Sequence, residues 1–350
     1  PLTEPFEPGS TIKPLLVAHL LGRGLVAPDE VIDTYDGEYE IGTRTIEDDH
    51  PAPAMPLRDV LRLSSNIGMV RLAERLTPGE HFQALRDFGF GMATGLPYPS
   101  ESPGTLYHPR QWSRMSSASL AMGYELTVTS VQLAAAYGAI ANGGELVEPV
   151  LVREIRAPDG EVTYRHERQV VRRVMSPGVA RQVREMLIGV VDSGTAREAF
   201  MGGGPFAWKK GPARVSLAGR GYSARAHLAS FVGMFPADKP KLVILVKLVN
   251  PRGSYGGRTA APVTKEVIEA AIAARSIALD RYEPSAPAAF AHQEEDLHDD
   301  GSVSDARNGA SPRRIDLARG DEPSARLVAD NGDGRSPEHD GGDGVAGEGG

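Results

Sequence analysis

Ser10 and Lys13 stand three residues apart in the stretch "FEPGSTIKPLLVAHLLGRG", Phe6 to Gly24. Pro8 and Gly9 punctuate the chain, Ser10 and Thr11 offer capping hydroxyls, and Leu15, Leu16, Ala18, Leu20 and Leu21 then recur at helical spacing. A serine and a lysine one helical turn apart share a face and lie within side-chain reach. Two readings stand: an N-cap followed by an incidental lysine, or a nucleophile beside its base. A serine hydroxyl is a weak nucleophile until a base takes its proton. Lysine is such a base only where burial or another cation depresses its pKa. The positive end of the helix favours charge on the serine oxygen.

Ser64, Ser65 and Asn66 form a second polar cluster inside "LRDVLRLSSNIGMVRLAERL", whose apolar spacing predicts one amphipathic helix over Leu57–Leu76. Serine and asparagine compete for backbone hydrogen bonds in a helix interior. The cluster is either a polar surface patch or a working group, with Ser64 relaying a proton beside Lys13 and Asn66 bonding substrate amides.

The elements that would position these residues are legible along the chain. A helix over Val128–Asn142 stops at Gly143-Gly144, and a hairpin spans Val150–Val174 around Pro158-Asp159-Gly160. A helix follows from Pro177 to Val191. "RAHLASFVGMFPADKPKLVILVKLVN" reads as two strands, the second too apolar for any but a central place. A last helix is expected from about Pro262 to Ala278, and there is no internal repeat.

The 350 residues, 41% hydrophobic and 24% charged, are enough to build a real core. Cysteine is absent, which excludes a disulfide framework and thiolate metal sites. No apolar run of about eighteen residues marks a membrane span. The net charge of −8 is unevenly spread: residues 283–350 hold 16 Asp and Glu against 6 Arg, a net of −10 that leaves +2 for residues 1–282. That acidic stretch is rich in Gly, Ser and Pro and poor in large apolar residues, so it is expected to be a disordered tail. His292 and His298 within it belong to a solvated acidic run rather than a metal site.

Downstream, "PFAWKKGPARVSLAGRGYSARAHLASFVGMF" supplies Lys209 and Gly211. Ser-x-x-Lys, Ser-x-Asn and Lys-x-Gly in that order are the signature set of penicillin-binding proteins and serine β-lactamases. "EPGSTIKP", "TSVQLAAAYGAIANGGELVEPVLV", "VVDSGTA", "ASFVGMFPADKPKLVILV" and "YGGRTAAPV" resemble class B penicillin-binding proteins, the monofunctional peptidoglycan transpeptidases, and are most similar to division-type members. The resemblance runs from about Glu7 to Ala278 and implies an α/β fold of α+β type, a mostly antiparallel sheet flanked by helices on both faces. The transpeptidase domain would fill residues 1–282, N-terminally truncated and short of the first sheet strands, which would leave an open apolar strand edge. The resemblance further implies that Ser10 is acylated by a D-Ala-D-Ala stem peptide or a β-lactam and that Lys13 accepts its proton. Ser64 and Asn66 would complete the relay and hold substrate, and Lys209, Lys210 and Gly211 would line the edge strand. It implies neither metal nor cofactor, and no nucleic acid. The expected setting is a bacterial inner membrane with the catalytic domain in the periplasm or at the cell exterior, beside membrane-anchored division or elongation partners.

Three of seven positions depart from that family's "AGKTGTA", because residues 207–213 read "AWKKGPA". Lys210 replaces a threonine whose hydroxyl faces the substrate carboxylate. Pro212 stands where the family uses a backbone N–H as one of two oxyanion donors, and proline has none. Losing such a donor costs about 3–4 kcal/mol of transition-state stabilisation. Three activities stay open: transpeptidase, hydrolase of the carboxypeptidase or β-lactamase kind, and a catalytically degenerate scaffold that binds without turnover.

Overall fold

The computed structural model describes residues 1–188, 207–216, 222–251 and 256–273. Residues 189–191, 274–278 and the acidic stretch 283–350, all named above, lie outside them.

A 3-10 turn over Gly9–Ile12 runs directly into helix α1, Lys13–Gly22. Short strands follow: β1 (Val31–Asp33), the hairpin β2 (Glu38–Ile41) and β3 (Arg44–Glu47), and β4 (Ala54–Pro56), which pairs antiparallel with β1. Helices α2 (Leu57–Arg62), α3 (Asn66–Ala73) and α4 (Pro78–Asp87) come next. Strand β5 (Thr105–Leu106), α5 (Ser116–Met122), β6 (Leu126–Thr127) and α6 (Ser130–Ala141) lead into β7 (Glu145–Val147). The expected hairpin is β8 (Glu154–Arg156) with β9 (Val162–Arg165), while β10 (Val170–Arg173) returns to pair with β7. Helix α7 (Pro177–Ile188) precedes the main sheet of β11 (Ala207–Ser216), β12 (Tyr222–Phe235) and β13 (Leu242–Val249), and α8 (Gly256–Ala273) follows it.

Among the described residues this sheet is antiparallel throughout, in the order β11-β12-β13. Successive side chains of a strand point to opposite faces, yet Leu228 to Phe235 of β12 are buried without interruption. Both faces are therefore covered, by helices that include α6 and α8. Helix α1 is wedged between two cores. Its Ile12 and Leu15 side join Phe231 and Val232 of the sheet, and its Leu16, Val17 and Leu20 join Leu57, Val60 and Leu61 of α2. Such all-round burial holds α1 between the two cores.

Two expectations need correction. The helix expected over Leu57–Leu76 is broken at residues 63–65, because Ser64 takes the left-handed φ of 63° and Ser65 caps a new helix. Helix α8 begins at Gly256 rather than near Pro262, since six residues ahead of the proline already coil. Among the described residues strand β13 pairs with β12 alone, and Leu242 to Leu248 are half-buried.

His81 of α4 faces this frame from the side. It is fully buried, its Nδ1 lies 3.1 Å from Ser117 Oγ, and its ring meets Trp112 edge-on at 5.9 Å. Its Nε2 is buried without a hydrogen-bond partner among the described residues. Burial, reinforced by His19 of α1, lowers its pKa to about 4. Below pH ~6.5 the unfolded chain therefore takes up a proton that the folded chain refuses until pH ~4, so stability is complete above ~6.5 and falls across that window. We expect a loss of about 3 kcal/mol between those limits, and His81→Phe should remove most of it. Urea denaturation of both proteins between pH 7 and 4 checks this; parallel pH curves would contradict it.

Candidate active site

Ser10 opens the 3-10 turn, half-buried, with Gly9 before it at a φ of 54°. That turn is clamped from several sides. Gly9 N–H donates to Gly123 C=O at 3.1 Å, and Phe6 exchanges two backbone hydrogen bonds with Val128 at 2.8 and 2.9 Å. Gly123, itself at a φ of 89°, must be glycine, because a Cβ there would sit 2.0 Å from the Gly9 carbonyl oxygen. From α6, Tyr137 donates its hydroxyl to Thr11 C=O at 2.8 Å.

Lys13 lies on the turn after Ser10, wholly buried. Its Nζ donates to Ser64 C=O at 2.7 Å, Asn66 Oδ1 at 2.8 Å, Ser65 C=O at 3.2 Å and Ser64 Oγ at 3.3 Å. The α2–α3 junction is bent toward the ammonium to provide these oxygens. The left-handed backbone of Ser64 costs of order 1–3 kcal/mol in a non-glycine residue, and it turns both its carbonyl and its hydroxyl onto Lys13. Burial lowers the Lys13 pKa from 10.5 to about 7, against the opposing charges of Asp48 and Asp49. A lysine so placed is neutral in a useful fraction near neutral pH and can accept a proton.

Asp48, at the foot of the β2–β3 hairpin, holds that junction in shape. Its buried carboxylate accepts from Ser65 Oγ, from Asn66 N–H and from Ile67 N–H, the last at 3.1 Å. These are orphan donors of the first turn of α3, and Ser65 Oγ satisfies another by accepting from Gly68 N–H at 2.8 Å. Asn66 is fixed at both ends of its amide, since its Nδ2 donates to Glu47 C=O at 3.0 Å. Asp48 and the capping role of Ser65 were not legible beforehand. An aspartate 18 residues before Asn66, in a loop with no periodicity, carries no sequence signal that it will fold back on a helix end.

The sheet edge completes the cluster. The 3-10 turn of Ser10 packs against β11, on which Lys209 pairs with Val232, Gly211 with Ser230 and Pro212 with Ala229. Lys209 is buried, and its Nζ donates to Leu61 C=O at 2.6 Å, at the C-terminal end of α2. The backbone places Lys210 and Gly211 on the same edge; the Lys210 side chain lies outside the described residues. The register runs through Pro212 without a bulge. An antiparallel ladder tolerates proline only where the missing N–H would point away from its partner strand. Ser10, Lys13, Ser64, Asn66, Lys209 and Gly211 are thus gathered around one helix start and one strand edge. Among the described residues no three His, Asp or Glu side chains gather as metal ligands.

A family model, the penicillin binding protein transpeptidase domain, matches residues 1–269. The probable peptidoglycan D,D-transpeptidase PenA of Neisseria flavescens is 32% identical over 274 residues, covering 77% of this chain and 65% of that protein. The penicillin-binding protein PbpB of Mycobacterium tuberculosis is 36% identical over 275 residues, covering 75% of this chain and 40% of that one. The chain therefore spans less than two thirds of the length of these relatives. Among solved structures, the apo transpeptidase domain of Burkholderia pseudomallei penicillin-binding protein 3 superposes with a TM-score of 0.71 at 32% identity, over 79% of this chain and 81% of that one. Penicillin-binding protein 3 of Mycobacterium tuberculosis, complexed with aztreonam, gives 0.69 at 33%, over 79% and 64%.

Replacing Asp48 by Asn strips the α3 start of its carboxylate and removes the charge that most raises the Lys13 pKa. We expect a stability loss of about 1.5–3 kcal/mol, the range for hydrogen bonds to a charged group, and a Lys13 pKa lowered further below the value of about 7 that burial sets. Thermal denaturation and NMR titration check the two effects; an unmoved Lys13 midpoint would show that Asp48 acts on folding alone.

Proposed function

This chain belongs to the penicillin-binding proteins and carries their transpeptidase domain, of the class B division type, and on that premise we propose that it crosslinks peptidoglycan through an ester on Ser10. The observation that carries the reading is the buried Lys13, one turn after Ser10 and bound to Ser64 and Asn66. Lys13 takes the hydroxyl proton as Ser10 Oγ attacks the carbonyl between the two D-Ala residues of a stem peptide. The C–N bond breaks, the proton passes by way of Ser64 to the leaving D-Ala amine, and the acyl group stays on Ser10. A second stem-peptide amine then takes the acyl group and returns the proton to Ser10. A β-lactam follows the first half of this course, but its leaving nitrogen stays tethered. Asn66 bonds the substrate amide, and Lys209 and Lys210 draw its carboxylate.

Supporting this reading are the order of the motifs and the clamped helix start, which offers a rigid turn to an incoming carbonyl. We place the domain within residues 1–282, with 283–350 as an acidic segment outside it. The relatives are bacterial cell-wall enzymes, and we infer that this domain works outside the inner membrane beside membrane-anchored partners. No helix among the described residues is long and apolar enough to cross a membrane.

Pro212 favours a second reading, a domain that binds substrate but turns it over slowly. The Ser10 N–H can serve as one oxyanion donor, but Pro212 cannot be the other, which lowers the rate about a hundred- to thousandfold. Incubation with a fluorescent penicillin followed by mass spectrometry tests the main reading. A single adduct on the peptide containing Ser10, absent from Ser10→Ala, is expected. An adduct on Ser64 or Ser65, or none after prolonged incubation, would overturn it. The double replacement Pro212→Thr with Lys210→Thr should raise the acylation rate at least about tenfold, a floor beneath the usual worth of one donor. Equal rates would mean that another group fills the oxyanion hole.

A further inference from the structure

Among the described residues many surface arginines are paired. Arg165 and Arg156 hold Glu154, Arg168 and Arg173 hold Glu145, and Arg71 holds Glu74. Unpaired cations gather in a cleft of about 370 Å³ between the end of α6, the Pro177 to Arg184 stretch of α7 and the turn joining β12 to β13. Arg181 and Arg184 enter it from α7, and Lys239 and Lys241 enter it from the turn. Among the described residues none of the four forms an ion pair, and Asp238 is the one carboxylate in the lining. Arg181, Lys239 and Lys241 are exposed, whereas Arg184 is half-buried and anchored by donating to Ile140 C=O at 2.8 Å. Burial holds the Arg184 guanidinium below its ordinary pKa, reinforced by Arg181 and opposed by Glu185 and Asp238.

Like charges brought together on two separate elements repel and lower stability unless something neutralises them. We propose that this cleft binds a polyvalent phosphate group, either free or on a lipid headgroup. Three features favour phosphate over a single carboxylate. The lining carries four cations against Asp238, a surplus matched to an anion of two or more charges. Arg181 and Arg184 lie three residues apart on α7 and both line the cleft, so two guanidinium groups are available to the tetrahedral oxygens of phosphate. Lys239 and Lys241 close the opposite wall as point charges. No member of the Ser10 cluster lines the cleft, so binding here is separate from the acyl chemistry.

The test uses the full chain and two probes, inorganic pyrophosphate in calorimetry and phosphatidylcholine vesicles with or without phosphatidylglycerol in flotation. The triple variant Arg181→Ala, Lys239→Ala, Lys241→Ala leaves the anchored Arg184 in place, and unchanged labelling of Ser10 by a fluorescent penicillin reports that it folds. We expect pyrophosphate binding that weakens with added salt and falls at least about tenfold in the variant. Binding of pyrophosphate alone assigns a soluble phosphate; additional flotation with phosphatidylglycerol vesicles, lost in the variant, assigns a lipid headgroup. Absence of binding to both probes, or equal binding by variant and parent, would overturn the proposal.

Discussion

One ammonium group organises this domain. Lys13 is buried beneath the Ser10 turn, and its Nζ is met by four oxygens from three consecutive residues of the α2–α3 junction. Burying a charge is costly unless it is paired or hydrogen-bonded, and here those oxygens and the nearby Asp48 and Asp49 offset only part of that cost. The residue is left with a pKa of about 7, where it holds or releases a proton with little driving force either way. The strain at Ser64, the cap by Ser65 and the buried carboxylate of Asp48 all serve to keep the oxygens where that balance requires them.

The same constraint explains why the surrounding frame is so tightly closed. A lysine stays dry only if the helix that carries it cannot shift, and α1 is locked between two apolar cores. Its N-terminal turn is held by Gly123, Val128 and Tyr137. Lys209 extends the arrangement to the sheet, where it anchors the end of α2 to β11. The weak point is the next stretch of that strand. Pro212 keeps the ladder register but offers no N–H, so the proposed acyl transfer would lack one electrostatic partner there.

Much of this was legible in the sequence because it rests on local order. The helix start at Ser10 and Lys13, the α6 helix, the β8–β9 turn and the order of the three motifs follow from spacing within a few residues. What the sequence concealed depends on contacts between distant segments. Apolar periodicity across Leu57–Leu76 continues through Ser64, so nothing local reveals that the chain breaks there to serve an ammonium 51 residues earlier. Asp48 is hidden for the same reason, being one of several acidic residues in a loop.

The account turns on the proton affinity of Lys13, and NMR titration of its Cε methylene, assigned by comparison with Lys13→Met, measures that quantity without any substrate. A midpoint near pH 7 is expected. A midpoint close to 10.5, the ordinary lysine value, would show that the buried ammonium stays charged at neutral pH and that Lys13 positions the α2–α3 junction without serving as the base.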